Sequence, residues 1–139
     1  AWLLNFNLNY QETSDTLPAF ERIGLGGHST VRGFRENRWL KDSGLTASLM
    51  LSAPLLAAGS QNGIAVRAML FYDYGRGENS VAALNVDTEV SLRSAGFGLT
   101  ADYQKLKFRI ERALRLNKKN KLGNALQDSG IHVGVTYEL

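Results

Sequence analysis

The feature that most constrains the fold of this chain is a strict two-residue alternation of side chains at its start. The apolar members share one parity: Trp2, Leu4, Phe6, Leu8 and Tyr10. The polar members share the other parity: Asn5, Asn7 and Asn9. Successive side chains of a β-strand point to opposite faces, whereas a helix would spread these residues around its axis. The opening therefore predicts a strand with one apolar face and one wet face.

Five more segments of this kind follow, so the sequence predicts six strands. Clear alternation occurs at residues 45–52, 64–74, 106–111 and 131–139. The remaining segment, at 90–101, changes phase, because Val90 and Leu92 lie on one parity and Phe97 on the other. We expect either a β-bulge near Arg93 or a later start of this strand.

The connections between these segments alternate between long and short. Long stretches occupy residues 11–41, 75–89 and 115–128, the last of them basic. Short connections lie at residues 59–63 and 102–104. Strands of about ten residues with this rhythm are typical of an outer-membrane barrel, with long loops outside and short turns in the periplasm. The predicted fold is all-β: an antiparallel transmembrane β-barrel segment. A soluble β-sandwich or small barrel that binds a ligand is the alternative.

Composition excludes several other classes of protein. The 139 residues contain no apolar run of the roughly 20 residues that a membrane-spanning helix needs. The absence of cysteine excludes disulfide frameworks and thiolate sites, and a dispersed net charge of +3 argues against a nucleic-acid partner. A hydrophobic content of 44% is compatible with a barrel, because only alternate residues meet lipid.

Enzyme and metal sites are not indicated either. Gly27-His28-Ser29 resembles the start of a lipase nucleophile elbow, but Val31 stands where that turn requires glycine. His28 and His132 have no ligand-type neighbour at metal-binding spacing. We therefore predict no enzymatic activity, no catalytic residue, no bound metal and no cofactor.

Two motifs resemble the signatures of the Omp85 superfamily of outer-membrane barrels. The long loop contains Gly26-Gly27 followed by Val31-Arg32-Gly33-Phe34, and the third strand contains Phe71, Asp73 and Gly75 in a Phe-x-Asp-x-Gly pattern. The resemblance implies that the loop at about 11–41 folds back into the barrel lumen. It also implies that Arg32 pairs with Asp73.

The residue types suit this role. Glycines such as Gly26, Gly27 and Gly33 permit positive φ and close backbone approach, so a loop can reverse inside a crowded pore. The planar guanidinium of Arg32 fits a carboxylate through two parallel hydrogen bonds, and parity places Asp73 on the polar face. We therefore predict that the pair is a positional latch, which holds the loop in place. The alternative, from the residues alone, is that each belongs to a separate surface turn.

The last strand resembles the C-terminal signal by which outer-membrane barrels are recognised for assembly. Gly134, Tyr137 and Leu139 occupy its glycine and hydrophobic positions, with leucine at the end where phenylalanine is commoner. The resemblance implies two partners for the chain, the barrel-assembly machinery and the lipid bilayer.

Residues 35–44 resemble two-partner secretion transporters more than barrel-assembly proteins. The resemblance then implies a pore in the bacterial outer membrane that exports a secreted client polypeptide, with a barrel-assembly factor as the alternative. Residues 1–139 would form the C-terminal portion of a sixteen-stranded barrel. Six strands leave two edges whose unpaired backbone groups are costly in lipid. We therefore expect that further strands lie outside this chain or that it is a truncated copy.

Overall fold

β-Strands form most of the chain in a computed structural model, which describes residues 1–56, 63–80, 88–117 and 129–139. In chain order the strands are β1 (Leu3–Gln11), β2 (Ile23–Leu25), β3 (Trp39–Lys41), β4 (Ser43–Leu56), β5 (Ile64–Glu78), β6 (Glu89–Tyr103), β7 (Leu106–Arg115) and β8 (Ile131–Tyr137). A short 3-10 helix, Ala19–Glu21, precedes β2. No helix within the four described ranges has the length and apolar character needed to cross a membrane.

Six of these strands form one open antiparallel sheet in the order β1-β4-β5-β6-β7-β8. The other two, β2 and β3, pair with each other in the connection between β1 and β4. The predicted all-β class and the six predicted strands are thus confirmed. In the part of the chain that the structure describes, β1 and β8 each have one neighbour, so the sheet does not close on itself.

The sheet has an apolar face and a polar face, as the alternation predicts. On the apolar face, Phe6 lies opposite Leu49, and Leu70 lies opposite Phe97. These side chains remain exposed to a large extent, Phe6 at 65% and Leu70 at 62%. Apolar rows left open over several strands mark a surface that meets lipid or another protein. The second sheet that a soluble sandwich would pack against this face is not found among the described residues.

Charged side chains on the apolar face lie toward the ends of the strands that carry the long connections. Arg76 and Glu89 form an exposed ion pair there, at 3.0 Å. Arg112 lies opposite Ile131, where the pairing of β7 with β8 ends. A long side chain at this position can extend its charged group toward water while its stem covers apolar surface.

Both expectations for the fourth predicted strand are wrong. β6 pairs with β5 from Glu89 to Tyr103 without a shift in register, so it has no bulge there and it begins early. Val90 and Leu92 point to the polar face, yet both are buried. They are buried because the long loop packs on them, with Phe34 in the same cluster. The change of phase therefore marks where the loop covers the polar face.

Several strands are longer than the sequence predicts. β5 continues to Glu78, in the range predicted as a loop. β6 continues to Tyr103, which leaves two residues for the turn predicted at 102–104. β4 passes Pro54 and ends at Leu56, with irregular pairing between these two residues, as is common for proline in a sheet. Most of the predicted basic loop at 115–128, and parts of the connections at 59–63 and 75–89, lie outside the described residues.

The long loop between β1 and β4 lies across the polar face of the sheet and contains β2 and β3, which the sequence does not predict. Its apolar residues form the core with the sheet: Leu25, Val31, Phe34, Val90 and Leu92, with Trp39 packed against them. Full burial of such side chains is worth about 1.5–3 kcal/mol each. The core thus fastens the loop to the polar face near the long-loop ends of the strands.

The buried carboxylate of Asp42 also anchors the loop, at its base. Its Oδ1 accepts a hydrogen bond from the Leu17 amide at 2.9 Å, and its Oδ2 accepts one from the Ser80 amide at 3.0 Å. Arg22 Nε lies 3.1 Å from Oδ1. The two backbone N–H groups and the Arg22 guanidinium hold the pKa of Asp42 below its ordinary value of 3.8. Asp42 therefore ties three chain segments together.

The Asp42→Asn variant should loosen these segments, because an amide offers one acceptor oxygen where the carboxylate offers two. Since the pKa of Asp42 is lowered, its contribution is complete above about pH 4 and is lost as pH falls through that lowered pKa. Trypsin cleavage after Arg22 in the full-length protein measures the effect. We expect faster cleavage of the variant at both pH 8 and pH 6. Asp15→Asn, at an exposed position of the same loop, is the control; equal rates for both variants would contradict the assignment.

Candidate functional site: the arginine at the loop tip

A tight turn of the long loop brings its tip to the polar face. The Gly27 amide donates to the Val31 carbonyl at 3.1 Å, and the Thr30 amide donates to the Gly27 carbonyl at 3.3 Å. The carboxylate of Glu36 accepts hydrogen bonds from two other residues of this turn. The chain reverses here, so that Arg32 leaves the turn pointing at the sheet.

The guanidinium of Arg32 binds the carboxylate of Asp73 on β5 through two parallel hydrogen bonds. Arg32 Nε lies 2.7 Å from Asp73 Oδ2, and Arg32 Nη2 lies 2.8 Å from Asp73 Oδ1. The backbone amide of Arg32 donates to the same carboxylate at 3.1 Å. Asp73 therefore fixes both the side chain and the backbone of the tip. The predicted pairing of Arg32 with Asp73 is present in the structure.

Three further groups on the polar face complete the surroundings of Arg32. Its Nη1 donates to Glu111 Oε1 on β7 at 3.2 Å, and its Nη2 donates to Ser48 Oγ on β4 at 3.1 Å. The Phe71 ring lies beneath the guanidinium, with 3.5 Å between the guanidinium carbon and the ring centroid. This geometry adds a cation–π attraction. The tip is thus bound to three strands of the sheet at once.

Glu111 is a second acidic centre that binds more than Arg32. Arg109 Nε donates to its Oε1 at 2.8 Å. His28 Nδ1, on the loop tip, lies 3.2 Å from Oε2, at an ion-pair distance but outside hydrogen-bond geometry. Two arginines thus face two carboxylates, Asp73 and Glu111, in one cluster. The fixed charges of this cluster cancel.

The central members of this cluster are buried: Arg32 is 5% exposed, Asp73 0% and Glu111 1%. Charges removed from water are tolerated when each is paired and hydrogen-bonded, and removal of one partner then costs about 3–5 kcal/mol. The main effect of the cluster is therefore to hold the loop tip at one position. It makes any other placement of the tip unfavourable, because displacement would leave buried charges without partners.

Small residues on β6 make room for this arrangement. Ser94 faces the polar side with its side chain fully buried, and Gly96 and Gly98 follow at the next two polar-face positions. A Cβ at Gly96 would lie 2.3 Å from the Phe71 ring, and one at Gly98 would lie 2.9 Å from Glu111 Cγ. The absence of side chains on β6 thus lets groups from β5 and β7 lean over it toward the arginine.

The residue after the arginine must also be glycine. Gly33 has a φ of 92°, which side chains other than glycine rarely adopt, and a Cβ there would lie 3.1 Å from Ala113 Cβ. Its amide donates to His132 Nε2 at 3.4 Å, and its carbonyl accepts a hydrogen bond from Arg115 Nε. Gly33 therefore lets the tip lie directly on β7 and reach β8.

A comparison with known protein families gives a match over residues 1–101, to the haemolysin secretion/activation proteins ShlB/FhaC/HecB. The chain belongs to this family. ShlB/FhaC/HecB proteins are outer-membrane proteins of Gram-negative bacteria that serve protein secretion, and they are transporters rather than enzymes. The match supports the Omp85 resemblance. No curated protein and no solved structure matches the chain.

The residues in which the chain resembles the Omp85 superfamily come together at one place in this ShlB/FhaC/HecB protein. Val31 and Phe34 are buried beside Arg32 in the core cluster, and Phe71 lies under the guanidinium. Gly75 faces Val31, whose Cγ2 would lie 2.7 Å from a Cβ at that position. Positive φ, predicted for three glycines, occurs at all of them: Gly26 (102°), Gly27 (106°) and Gly33 (92°).

The residues of the predicted assembly signal lie apart from this cluster. Gly134 is on the polar face of β8, where a Cβ would lie 4.0 Å from Arg109 Cβ. Tyr137 ends β8 on the apolar face, and Leu139 follows it; both are exposed. Their role in assembly stays a prediction.

Sequence reasoning missed Glu111, Ser48 and His132 as members of the site. Parity places Glu111 and His132 on the polar face, but so many polar residues share that face that parity alone does not single them out. The small residues at 94, 96 and 98 are the signal that would have indicated a depression on β6. Within the described ranges, no three histidine or acidic side chains form a group that could hold a metal ion.

Proposed function

We propose that this chain forms part of an outer-membrane pore that exports a partner polypeptide across the bacterial outer membrane as an extended chain. The single observation that carries the proposal is the buried pairing of Arg32 with Asp73 on a polar sheet face whose reverse is apolar and exposed. This arrangement suits a wall with lipid on one side and a lumen on the other. Membership of the ShlB/FhaC/HecB family supports it.

The exposed apolar rows give the membrane part of the proposal its physical basis. β1 has 9 residues and β7 has 10, the length that crosses an outer membrane, where tilted strands need about 9–11 residues. Aromatic residues lie near the short-turn ends of the apolar face, as they do at the interfaces of barrel proteins: Trp2, Tyr103 and Tyr137. Lipid then covers the apolar face, and the barrel-assembly machinery inserts the strands, with Gly134, Tyr137 and Leu139 as the recognition signal.

The open edges require partners in this setting. Hydrocarbon offers no hydrogen bonds to the free backbone groups of β1 and β8, so a sheet with such edges is unfavourable there. We propose that further strands pair with both edges and close a barrel, of which residues 1–139 are the C-terminal portion. The loop between β1 and β4 then lies inside the lumen, held by the Arg32 cluster.

Export of a partner predicts a specific change in the culture medium when the protein is depleted. Proteins in the medium and in the outer membrane of depleted and undepleted cells are quantified by mass spectrometry. We expect one or a few polypeptides to disappear from the medium and to accumulate in the periplasm, because their route out is lost. Other outer-membrane barrels should keep their normal levels. Complementation with the full-length protein should restore export.

The same measurement distinguishes the alternative function. A fall in many outer-membrane barrels, with no selective loss from the medium, would identify a barrel-assembly factor and contradict export. No change in either fraction would contradict both functions.

A further inference from the structure

The loop tip leaves the polar face of β1 uncovered from Asn5 to Asn9. The inward positions of β1 carry three carboxamides in succession, at Asn5, Asn7 and Asn9, and all three are exposed. We name these residues the asparagine ladder. The Arg32 cluster, by contrast, occupies the part of the face formed by β4 to β7. The ladder is thus an exposed part of the polar face, next to a part that the loop tip covers.

The ladder keeps hydrogen-bonding capacity that the described residues do not use. Asn9 Nδ2 donates to Asn7 Oδ1 at 3.0 Å and to Thr46 Oγ1 at 3.3 Å. Among the residues that the structure describes, nothing bonds to the side chain of Asn5, to Asn7 Nδ2 or to Asn9 Oδ1. Each of the three carboxamides therefore keeps at least one donor or acceptor without a partner among these residues.

A groove of about 460 Å³ separates the ladder from the loop tip. The tip contributes Ser29 and Thr30 to its wall, and β4 contributes Thr46 and Ser48 to its floor. Two arginines also reach it, but both are neutralised by the carboxylates of the cluster described above. His28 lies against Glu111. The groove thus presents neutral dipoles rather than net charge.

The spacing of the ladder matches an extended polypeptide. Alternate residues of a strand are about 6.6–6.8 Å apart, and an extended chain repeats its peptide groups with the same two-residue period. A carboxamide resembles a peptide group in both donor and acceptor, so the electrostatic complementarity is to backbone dipoles and does not depend on the side chains that pass. Charged walls would instead favour some side chains and repel others.

We propose that the asparagine ladder is the contact surface for the backbone of the extended client during export. This inference rests on the proposed function and specifies which wall of the pore the client follows. The partner it fits is a polypeptide in extended form, held by weak, repeated hydrogen bonds. Weak contacts of this kind guide a chain without stopping it.

Disulfide formation with a stalled client tests the proposal. The chain contains no cysteine, so single cysteines can be placed without background from this segment. The full-length protein receives Asn5→Cys or Asn7→Cys, with Phe6→Cys on the apolar face and Thr136→Cys on the polar face of β8 as controls. The probe is the polypeptide that depletion removes from the medium, carrying one cysteine and a folded C-terminal domain that arrests it in the pore.

We expect severalfold more disulfide at positions 5 and 7 than at either control position. Three results would overturn the inference: disulfide mainly at Thr136→Cys, equal yields at all four positions, or no disulfide at any position. If export of the unblocked client is intact in these variants, the proposed function is unaffected. Protection of Asn7→Cys from a small maleimide in the resting protein would show that the protein covers the ladder itself, and would also overturn it. Loss of the proposed function would instead appear in the depletion experiment.

Discussion

Reversing the charge at the loop tip, with Arg32→Asp, should release the tip from the polar face and abolish or strongly reduce export. The variant places a carboxylate beside Asp73 and Glu111, which are both buried and would lose their shared partner. Removal of one partner from such a cluster costs about 3–5 kcal/mol, and the added repulsion increases this. Export of the client into the medium and the urea midpoint of the detergent-solubilised protein measure the two consequences.

The double variant Arg32→Asp with Asp73→Arg separates direct pairing from general damage. It restores one ion pair but leaves the new aspartate near Glu111, so we expect partial rather than full recovery of export. Arg38→Asp makes the same charge change at an exposed position of the same loop and should have little effect. No recovery in the double variant, with both proteins at normal levels in the membrane, would count against the pair as the latch.

Neutralising the second carboxylate, with Glu111→Gln, should be the next most damaging change. The shape of the side chain is kept, but Arg32 and Arg109 lose the negative charge that both share. Hydrogen bonds to charged groups contribute about 1.5–3 kcal/mol each, so we expect a loss of stability in that range and a weaker hold on the tip. The urea midpoint in detergent and the protease sensitivity of residues 27–34 report on these effects.

Glu138→Gln is the matched control for this variant. Glu138 pairs with Lys107, but both side chains are more than half exposed, and an exposed pair contributes only about 0–1 kcal/mol. Both substitutions remove one negative charge, from Glu111 on β7 and from Glu138 directly after the end of the neighbouring β8. Equal unfolding midpoints for the two variants would show that burial of Glu111 in the Arg32 cluster has no energetic weight.

The sequence predicts the strands well because their pattern is local. Alternation in β1 and β5 depends only on which face meets which medium, and both strands have the predicted faces. The same logic fails in β6, where Val90 and Leu92 are apolar on the polar face because a distant loop covers them. The alternation of apolar and polar residues depends on what each face contacts. On β6 the polar face is covered by the loop at one end of the strand and not at the other.

The site is predicted in part for a related reason. Arg32 and Asp73 are marked by motifs that resemble those of a known superfamily, and the structure brings them together. Glu111 has no such motif and lies outside the range matched by the family. Its role arises from the depression above Gly96 and Gly98, which exists only after three strands have paired. Contacts that form because the residues between them are small are difficult to predict from a single sequence.

The hydrogen bonds of Arg32 join residues that are 16, 41 and 79 positions apart in the chain. Contacts between such distant residues require long stretches of chain to close first, which makes them late events in folding. Docking of the arginine can be completed only when β4, β5 and β7 already stand side by side. Full binding of the tip therefore requires that these strands have already paired in their native register.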